Sequence, residues 1–225
     1  PEVYRQALVA GLEAIAITDH DTTAGLAELK EYLKWAESSS LTVINGIELS
    51  CDHPDYEIHI LGYRIDIGNV ELNDRLTYLQ NDRVNRAKKM VDKLNRLGYN
   101  IDFARVQELA GDAQAIGRPH VARALLEKGY FASMDEIFAG PLGLGGEAYV
   151  PHFKLNPKEA VALINQAGGI AVLAHPGLVG NDALVNDLLT SVPIKGLEVY
   201  HPDHSPLQTQ KYLALARRYN LLVTG

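Results

Sequence analysis

The chain has one cysteine, Cys51, in 225 residues, so no internal disulfide can form. A reducing compartment follows as the expectation, and cytoplasmic placement with it. No apolar stretch approaches the roughly 18 residues that span a bilayer, and no secretory signal pattern is visible at Pro1, which need not be the natural start. Positive charge is not in excess: 21 Lys and Arg against 28 Asp and Glu leave a formal net charge of -7. That weighs against double-stranded DNA, long RNA and anionic membranes as partners. It does not weigh against a small phosphorylated substrate, because bound metals add local positive charge. The Gly-rich turn Gly140-Pro141-Leu142-Gly143-Leu144-Gly145-Gly146 lacks the lysine-serine ending of a phosphate loop. The sequence carries no internal repeat and no low-complexity segment, and the oligomeric state is not legible in it.

What is present is an alternation of apolar strands and capped helices. The 47% hydrophobic content is that of a globular chain long enough to bury a full α/β core. Leu12 to Thr18 reads as a strand, and Thr22 or Thr23 can cap a helix running to about Glu37. Leu41 to Leu49 and Ile58 to Tyr63 read as further strands. From about Asn69 the texture changes. Leu76, Leu79, Arg83, Ala87, Met90, Val91, Leu94 and Leu97 follow helical spacing. Shorter helices are expected at Asp102 to Ala110, Arg118 to Lys128 and Met134 to Ala139. This block, 69–150, has no strand to interleave with and reads as a helical insertion lobe covering the site. After it, Asn156-Pro157 with Glu159 opens a helix as a capping box. Strands at Ile170 to Ala174, Gly196 to Tyr200 and Leu221 to Thr224 alternate with helices to the end. Residues 1–68 and 151–225 therefore form one discontinuous α/β domain. A mainly parallel sheet with barrel-like closure is the expectation.

Three apolar strands run into metal-capable side chains. Ala14-Ile15-Ala16-Ile17-Thr18 meets Asp19-His20-Asp21; Val43-Ile44-Asn45-Gly46-Ile47 ends on Glu48; Ile170-Ala171-Val172-Leu173-Ala174 meets His175. A neutral imidazole is a good ligand for zinc, manganese or iron, and a carboxylate can orient its second nitrogen. For His20 the plainer reading is a bystander beside a capping Asp21. For Glu48 it is a solvent-facing strand end, and for His59, among Ile58, Ile60 and Leu61, a core histidine bonded to backbone. Arg118-Pro119-His120 opens a helix in the inserted block, where a guanidinium suits phosphate; a surface arginine beside a histidine cap is the alternative. Either His201 or His204 could face a site, or both could be loop surface. His53 and His152 carry little signal.

Together Thr18-Asp19-His20-Asp21-Thr22, Gly46-Ile47-Glu48-Leu49-Ser50, His59-Ile60-Leu61-Gly62-Tyr63, Arg118-Pro119-His120-Val121-Ala122-Arg123 and Ala171-Val172-Leu173-Ala174-His175-Pro176-Gly177 resemble the PHP (polymerase and histidinol phosphatase) family. The similarity is greatest to its bacterial branch of small-substrate phosphoesterases, including nucleoside 3',5'-bisphosphate phosphatases. The resemblance implies a distorted (β/α)7 barrel with a helical insertion and two or three divalent metal ions, manganese foremost and iron or zinc as alternatives. It implies that Glu48, His59 and His175 form one metal site with Glu48 bridging to a neighbour, and that His20 belongs to another. It places Arg118, with His120 or His204, on the substrate phosphate. The implied reaction is hydrolysis of a phosphomonoester of a small nucleotide, above all the 3'-phosphate of a nucleoside 3',5'-bisphosphate, by a metal-activated hydroxide.

The departures from the family lie at the ends. It opens with an Asp-Leu-His-x-His strand and closes with an Asp-x-His pair after a last strand. Neither motif stands in the sequence, and both termini read as incomplete. Three alternatives follow. Two are enzymes: a 5'-3' exoribonuclease on short RNA, and a histidinol phosphatase. The third belongs to another class, a non-catalytic PHP-like domain that binds a partner.

Overall fold

The computed structural model describes residues 1–35, 41–53, 56–111, 116–151 and 155–225, and His152 lies outside them. In chain order the elements are α1 (Glu2–Val9), β1 (Ala14–Ile17), α2 (Ala24–Leu33), β2 (Thr42–Cys51), β3 (Ile58–Tyr63), α3 (Val70–Arg96), α4 (Phe103–Ala110), α5 (Arg118–Glu127), α6 (Met134–Ala139), α7 (Pro157–Gln166), β4 (Ile170–Leu173), α8 (Pro176–Val179), α9 (Asp182–Ser191), β5 (Gly196–Glu198), α10 (Pro206–Arg218) and β6 (Leu222–Thr224). The chain divides into two compact units, Pro1–Leu76 with Lys154–Gly225, and Thr77–Phe153. The boundaries expected from sequence were 69 and 150.

The first unit carries a six-stranded sheet in the order β1-β2-β3-β4-β5-β6. Residues of β1 (Ala14, Ala16), β3 (Tyr63), β4 (Val172), β5 (Glu198) and β6 (Thr224) line one cavity of about 520 Å³, so the sheet curls. It does not close, because β1 and β6 end the order without pairing to each other. The seven-stranded closed barrel expected from the family is therefore not what the described residues form. The sheet is mainly parallel, as expected, with β3 the exception. β1 pairs with β2 in parallel, and β4, β5 and β6 are parallel, but β3 is antiparallel to both β2 and β4. The reason is local. Only residues 52–57 separate β2 from β3, too few for the crossover of a dozen or more residues that a parallel pair needs.

Local chemistry explains the helix starts. Asn156 accepts from the Glu159 N–H while Glu159 accepts from the Asn156 N–H, both at 2.9 Å. Ser205 and Gln208 repeat the arrangement at α10. Each cap is worth about 1 kcal/mol. At α2 the N-cap is Thr23, but it is the Thr22 hydroxyl that accepts, from the Ala24 N–H. Ile47, Leu49, Ile58, Ile60, Leu173 and Leu197 are fully buried along the strands. The second unit is helical and holds its own core, with Met90, Val91 and Leu94 of α3 packed among Val106, Val121 and Leu125.

Candidate metal centre

Five strands bring polar side chains to one end of the curled sheet. His20 follows β1 and forms an isolated parallel bridge with Glu48 of β2, which extends that pairing past Ile17. The antiparallel direction of β3 puts its second residue, His59, at the same end, with its carbonyl accepting from the Ala174 N–H. His175 follows β4, and Glu198 ends β5. Of the strand junctions expected from sequence, His20 and His175 follow β1 and β4, Glu48 lies inside β2, which runs on to Cys51, and His59 is the second residue of β3.

Three donor atoms converge. Glu48 Oε1 lies 2.8 Å from His59 Nδ1 and 3.0 Å from His175 Nε2, and those two nitrogens are 3.2 Å apart. The other carboxylate oxygen, Oε2, lies 3.7 Å from His20 Nε2. The Glu48, His59 and His175 side chains are only 13%, 12% and 14% exposed, against 56% for His20, so His20 stands at the mouth. His20, Glu48 and His59 form a candidate metal site, their ligand atoms all within 4.8 Å of one another.

The donor set fits a divalent cation. Its inward-facing atoms are two imidazole nitrogens and a carboxylate oxygen, the mixture that suits manganese, iron or zinc. On the far sides of the rings, His175 Nδ1 is buried without a hydrogen-bond partner, and His59 Nε2 faces the Glu57 carboxylate at 3.4 Å. A proton shared among the three inward atoms leaves lone pairs facing each other at about 3 Å, a repulsion that a cation removes. Burial alone would raise the Glu48 carboxyl. The His175 and His59 hydrogen bonds and the charges of His20 and His59 outweigh it and hold Glu48 at about 2. Burial opposes a charged His175 in the same way, yet the bond to Glu48, its charge and that of Glu198 raise His175 above its ordinary value. The two partners agree in direction, so they titrate as a pair.

The histidine rings continue past the cluster. Centroids are 5.0 Å apart for His20 and His59, 5.1 Å for His59 and His175, and 5.4 Å for both His175–His201 and His201–His204. His204 is buried and fully engaged. Its Nδ1 donates to the Val199 carbonyl at 2.9 Å and its Nε2 accepts from the Gly177 N–H at 3.1 Å. Neither nitrogen is left to donate to a phosphate. His201 is partly exposed, and its Nδ1 accepts from the Asp203 N–H.

Arg118 and His120 belong to the second unit. His120 Nδ1 accepts from the Gly117 N–H at 3.0 Å, so this ring caps α5. The Arg118 guanidinium lies over the Phe138 ring at 5.0 Å and donates to the Leu142 carbonyl. Sequence reasoning passed over its neighbour Arg86, which donates to the Val150 carbonyl at 2.6 Å and lies over Tyr149. Burial lowers the Arg86 pKa, Tyr149 opposes this, and the charge of Arg118 lowers it further. In sequence Arg86 is one cation among Arg83, Lys88 and Lys89, with no local mark to single it out.

An α/β sheet that gathers imidazoles and a bridging-capable carboxylate at one end defines a metal-dependent hydrolase. No family model matches the chain. Individual relatives do match. A phosphoribosyl 1,2-cyclic phosphate 1,2-diphosphodiesterase of Eggerthella lenta is 31% identical over 229 residues, covering 100% of this chain and 85% of that protein. The 5'-3' exoribonuclease Rnm of Escherichia coli K12 is 33% identical over 92% of this chain and 71% of its own length. A 3',5'-nucleoside bisphosphate phosphatase of Chromobacterium violaceum is 31% identical over 100% of this chain and 79% of its own length. The crystal structure of a protein from Bifidobacterium adolescentis assigned as a metal-dependent phosphoesterase aligns with a TM-score of 0.76 at 30% identity, covering 100% of this chain and 79% of that one. The chain belongs to this family of metal-dependent phosphoesterases, whose fold is related to that of PHP-like enzymes. It is a hydrolase of phosphate esters that binds catalytic metal.

Proposed function

We propose that the chain is a PHP-type phosphatase that removes the 3'-phosphate from a nucleoside 3',5'-bisphosphate. The observation that carries this reading is the 31% identity, over the whole of this chain, to the 3',5'-nucleoside bisphosphate phosphatase of Chromobacterium violaceum. Within the second unit, the Arg118–Arg86 pair is an anion-binding candidate. Two guanidiniums within reach of each other's charge repel, and an anion between them offsets the repulsion. The forked geometry of Arg118, backed by Phe138 and the Leu142 carbonyl, suits phosphate oxygens.

Glu48, His59 and His175 would hold one divalent ion, manganese by preference. Glu48 Oε2 with His20 would serve a second, since the two carboxylate oxygens face different imidazoles. When bound, such ions lower the pKa of water and neutralise charge on the phosphate oxygens. The protein's own part is positioning. His20 stands exposed at the mouth, where it meets the incoming phosphate ester. His201, beside His175, takes the substrate-facing place that sequence gave to His204, because both His204 nitrogens serve the backbone. His120 acts through its cap, setting the start of α5 and hence Arg118.

The second reading is exonucleolytic release of nucleotides from the 5' end of short RNA, favoured by the 33% identity to the Escherichia coli exoribonuclease. The test is metal-dependent turnover of three substrates side by side: adenosine 3',5'-bisphosphate, short 5'-phosphorylated RNA and phosphoribosyl 1,2-cyclic phosphate. The proposal expects the bisphosphate to have the largest kcat/KM, with inorganic phosphate as the released product. A larger value for either other substrate replaces the proposal with that activity. Absence of turnover for all three refutes the proposal and directs the search to another phosphate ester.

A further inference from the structure

The turn that carries His175 is held by groups outside it. His175 has φ 22° and ψ 63°, on the left-handed side of the backbone map, where a residue with a Cβ rarely rests. Pro176 follows as the first residue of α8 and fixes the chain direction after it. Such a conformation persists only when its surroundings over-determine it.

The constraints come from one stretch, residues 198–208. Glu198 Oε2 accepts the backbone N–H of His175 at 2.6 Å. His204 Nε2 accepts the N–H of Gly177 at 3.1 Å, and Gln208 Nε2 donates to the Gly177 carbonyl at 3.4 Å. The holders are themselves held. His204 Nδ1 donates to the Val199 carbonyl, one residue past Glu198, and Gln208 completes the capping box of α10 with Ser205. Contact is close enough that a Cβ on Gly177 would stand 2.5 Å from His204 Cδ2 and 2.9 Å from Gln208 Nε2. Only glycine leaves room for the turn and its clamp together.

The geometry points to Glu198 as a positioning residue: its carboxylate, with His204 and Gln208 on the peptide after it, pins the His175–Gly177 turn so that His175 Nε2 faces Glu48. Glu198 touches none of the converging donor atoms. It acts through the backbone of His175, supplying the acceptor oxygen that the N–H of this strained residue needs. This assignment rests on the reading of His175 as a metal ligand, and the experiment separates the two.

Metal-stripped protein is titrated with Mn2+, with free ion read by electron paramagnetic resonance, for wild type, Glu198→Ala, Glu198→Gln and His175→Ala. Outer partners of metal ligands change affinity by about 10–100-fold, and a loss of that size is expected for Glu198→Ala. Glu198→Gln keeps an acceptor oxygen and should stay within about threefold of wild type, a rescue that a merely volume-filling role would not show. His175→Ala should lose the tight Mn2+ site outright. Wild-type affinity in His175→Ala overturns the ligand reading. Loss in His175→Ala with wild-type affinity in Glu198→Ala overturns the positioning role alone. Equal losses in Glu198→Ala and Glu198→Gln overturn it too, since charge rather than the backbone bond would then matter. Should Glu198→Ala fail to fold, Gly177→Ala decides: its Cβ displaces the clamp and should weaken Mn2+ binding by a similar factor, and unchanged binding overturns the proposal.

Discussion

Replacing Glu48 by glutamine keeps the shape of the metal-free cluster and removes its charge. The cost should depend on pH in a specific way. A carboxyl whose folded pKa is depressed adds its full stability above its ordinary 4.5 and loses it as pH falls towards the folded value near 2. That displacement, at about 1.4 kcal/mol per pH unit, amounts to about 3 kcal/mol, of which about 2 kcal/mol is gone by pH 3. His175 works on the other side. Its folded pKa is raised, so its contribution is complete below the ordinary 6.5 and fades as pH rises through the folded value. Both contributions come from the same pair and are counted once. The stability difference between wild type and Glu48→Gln should therefore form a dome with its plateau between about pH 4.5 and 6.5. The side chain is 13% exposed, so solvent screening takes little of it.

The assay is urea denaturation of metal-stripped protein at half-unit steps from pH 3 to pH 8.5, with the two variants compared at each pH. Titration of the other acidic groups is common to both proteins and cancels in the difference. A loss of about 3 kcal/mol leaves a domain of ordinary stability folded near pH 6. A flat difference, or one that climbs steadily with pH, refutes the account of Glu48 as a carboxylate held ionised by His175 and His59.

Metal binding must displace the proton that Glu48 favours on His175, so Mn2+ affinity of the metal-free wild type should rise up to about tenfold per pH unit below the folded His175 value and level off above it; titrations between pH 5.5 and 8.5 check this, and a pH-independent affinity contradicts it. Arg118→Ala should raise KM for adenosine 3',5'-bisphosphate by about 10–100-fold, the worth of a charged hydrogen-bonded contact, while leaving kcat within about threefold. Adenosine 3'-monophosphate, which lacks the second phosphate, should show no such loss, and an equal loss on both substrates would remove Arg118 from phosphate recognition.

Helix boundaries were legible wherever the stop and start chemistry is local. Asn156-Pro157 with Glu159 starts a helix where the sequence places it, because a cap needs only four consecutive residues. The direction of β3 was not read, although its signal was present in the short link from Cys51 to Ile58. The mainly parallel expectation rests on strands separated by helices, and no helix separates β2 from β3. The four-residue α8 was missed as well. It depends on Pro176 following a left-handed residue, and nothing in a histidine's neighbours announces a positive φ.

The site shows the same division more sharply. Glu48, His59 and His175 stand out in the sequence because each interrupts or follows an apolar run, although Glu48 lies inside β2, which continues to Cys51. Glu198 has that mark too, standing after Gly196-Leu197 at the end of β5, but its role runs through the His175 backbone N–H, a tertiary contact with no trace in the local sequence. His204 failed in the opposite direction. Its sequence setting resembles that of a site residue, but whether an imidazole is free to act depends on what its two nitrogens touch, and both of its partners, Val199 and Gly177, are fixed by the packing of β5 and α8 around it. Sequence can put a titratable group near a site, but tertiary hydrogen bonding decides whether that group faces substrate or faces the backbone. A strand-end carboxylate is the safer inference because its own strand sets its direction. A loop histidine such as His204 takes its direction from neighbours on other elements.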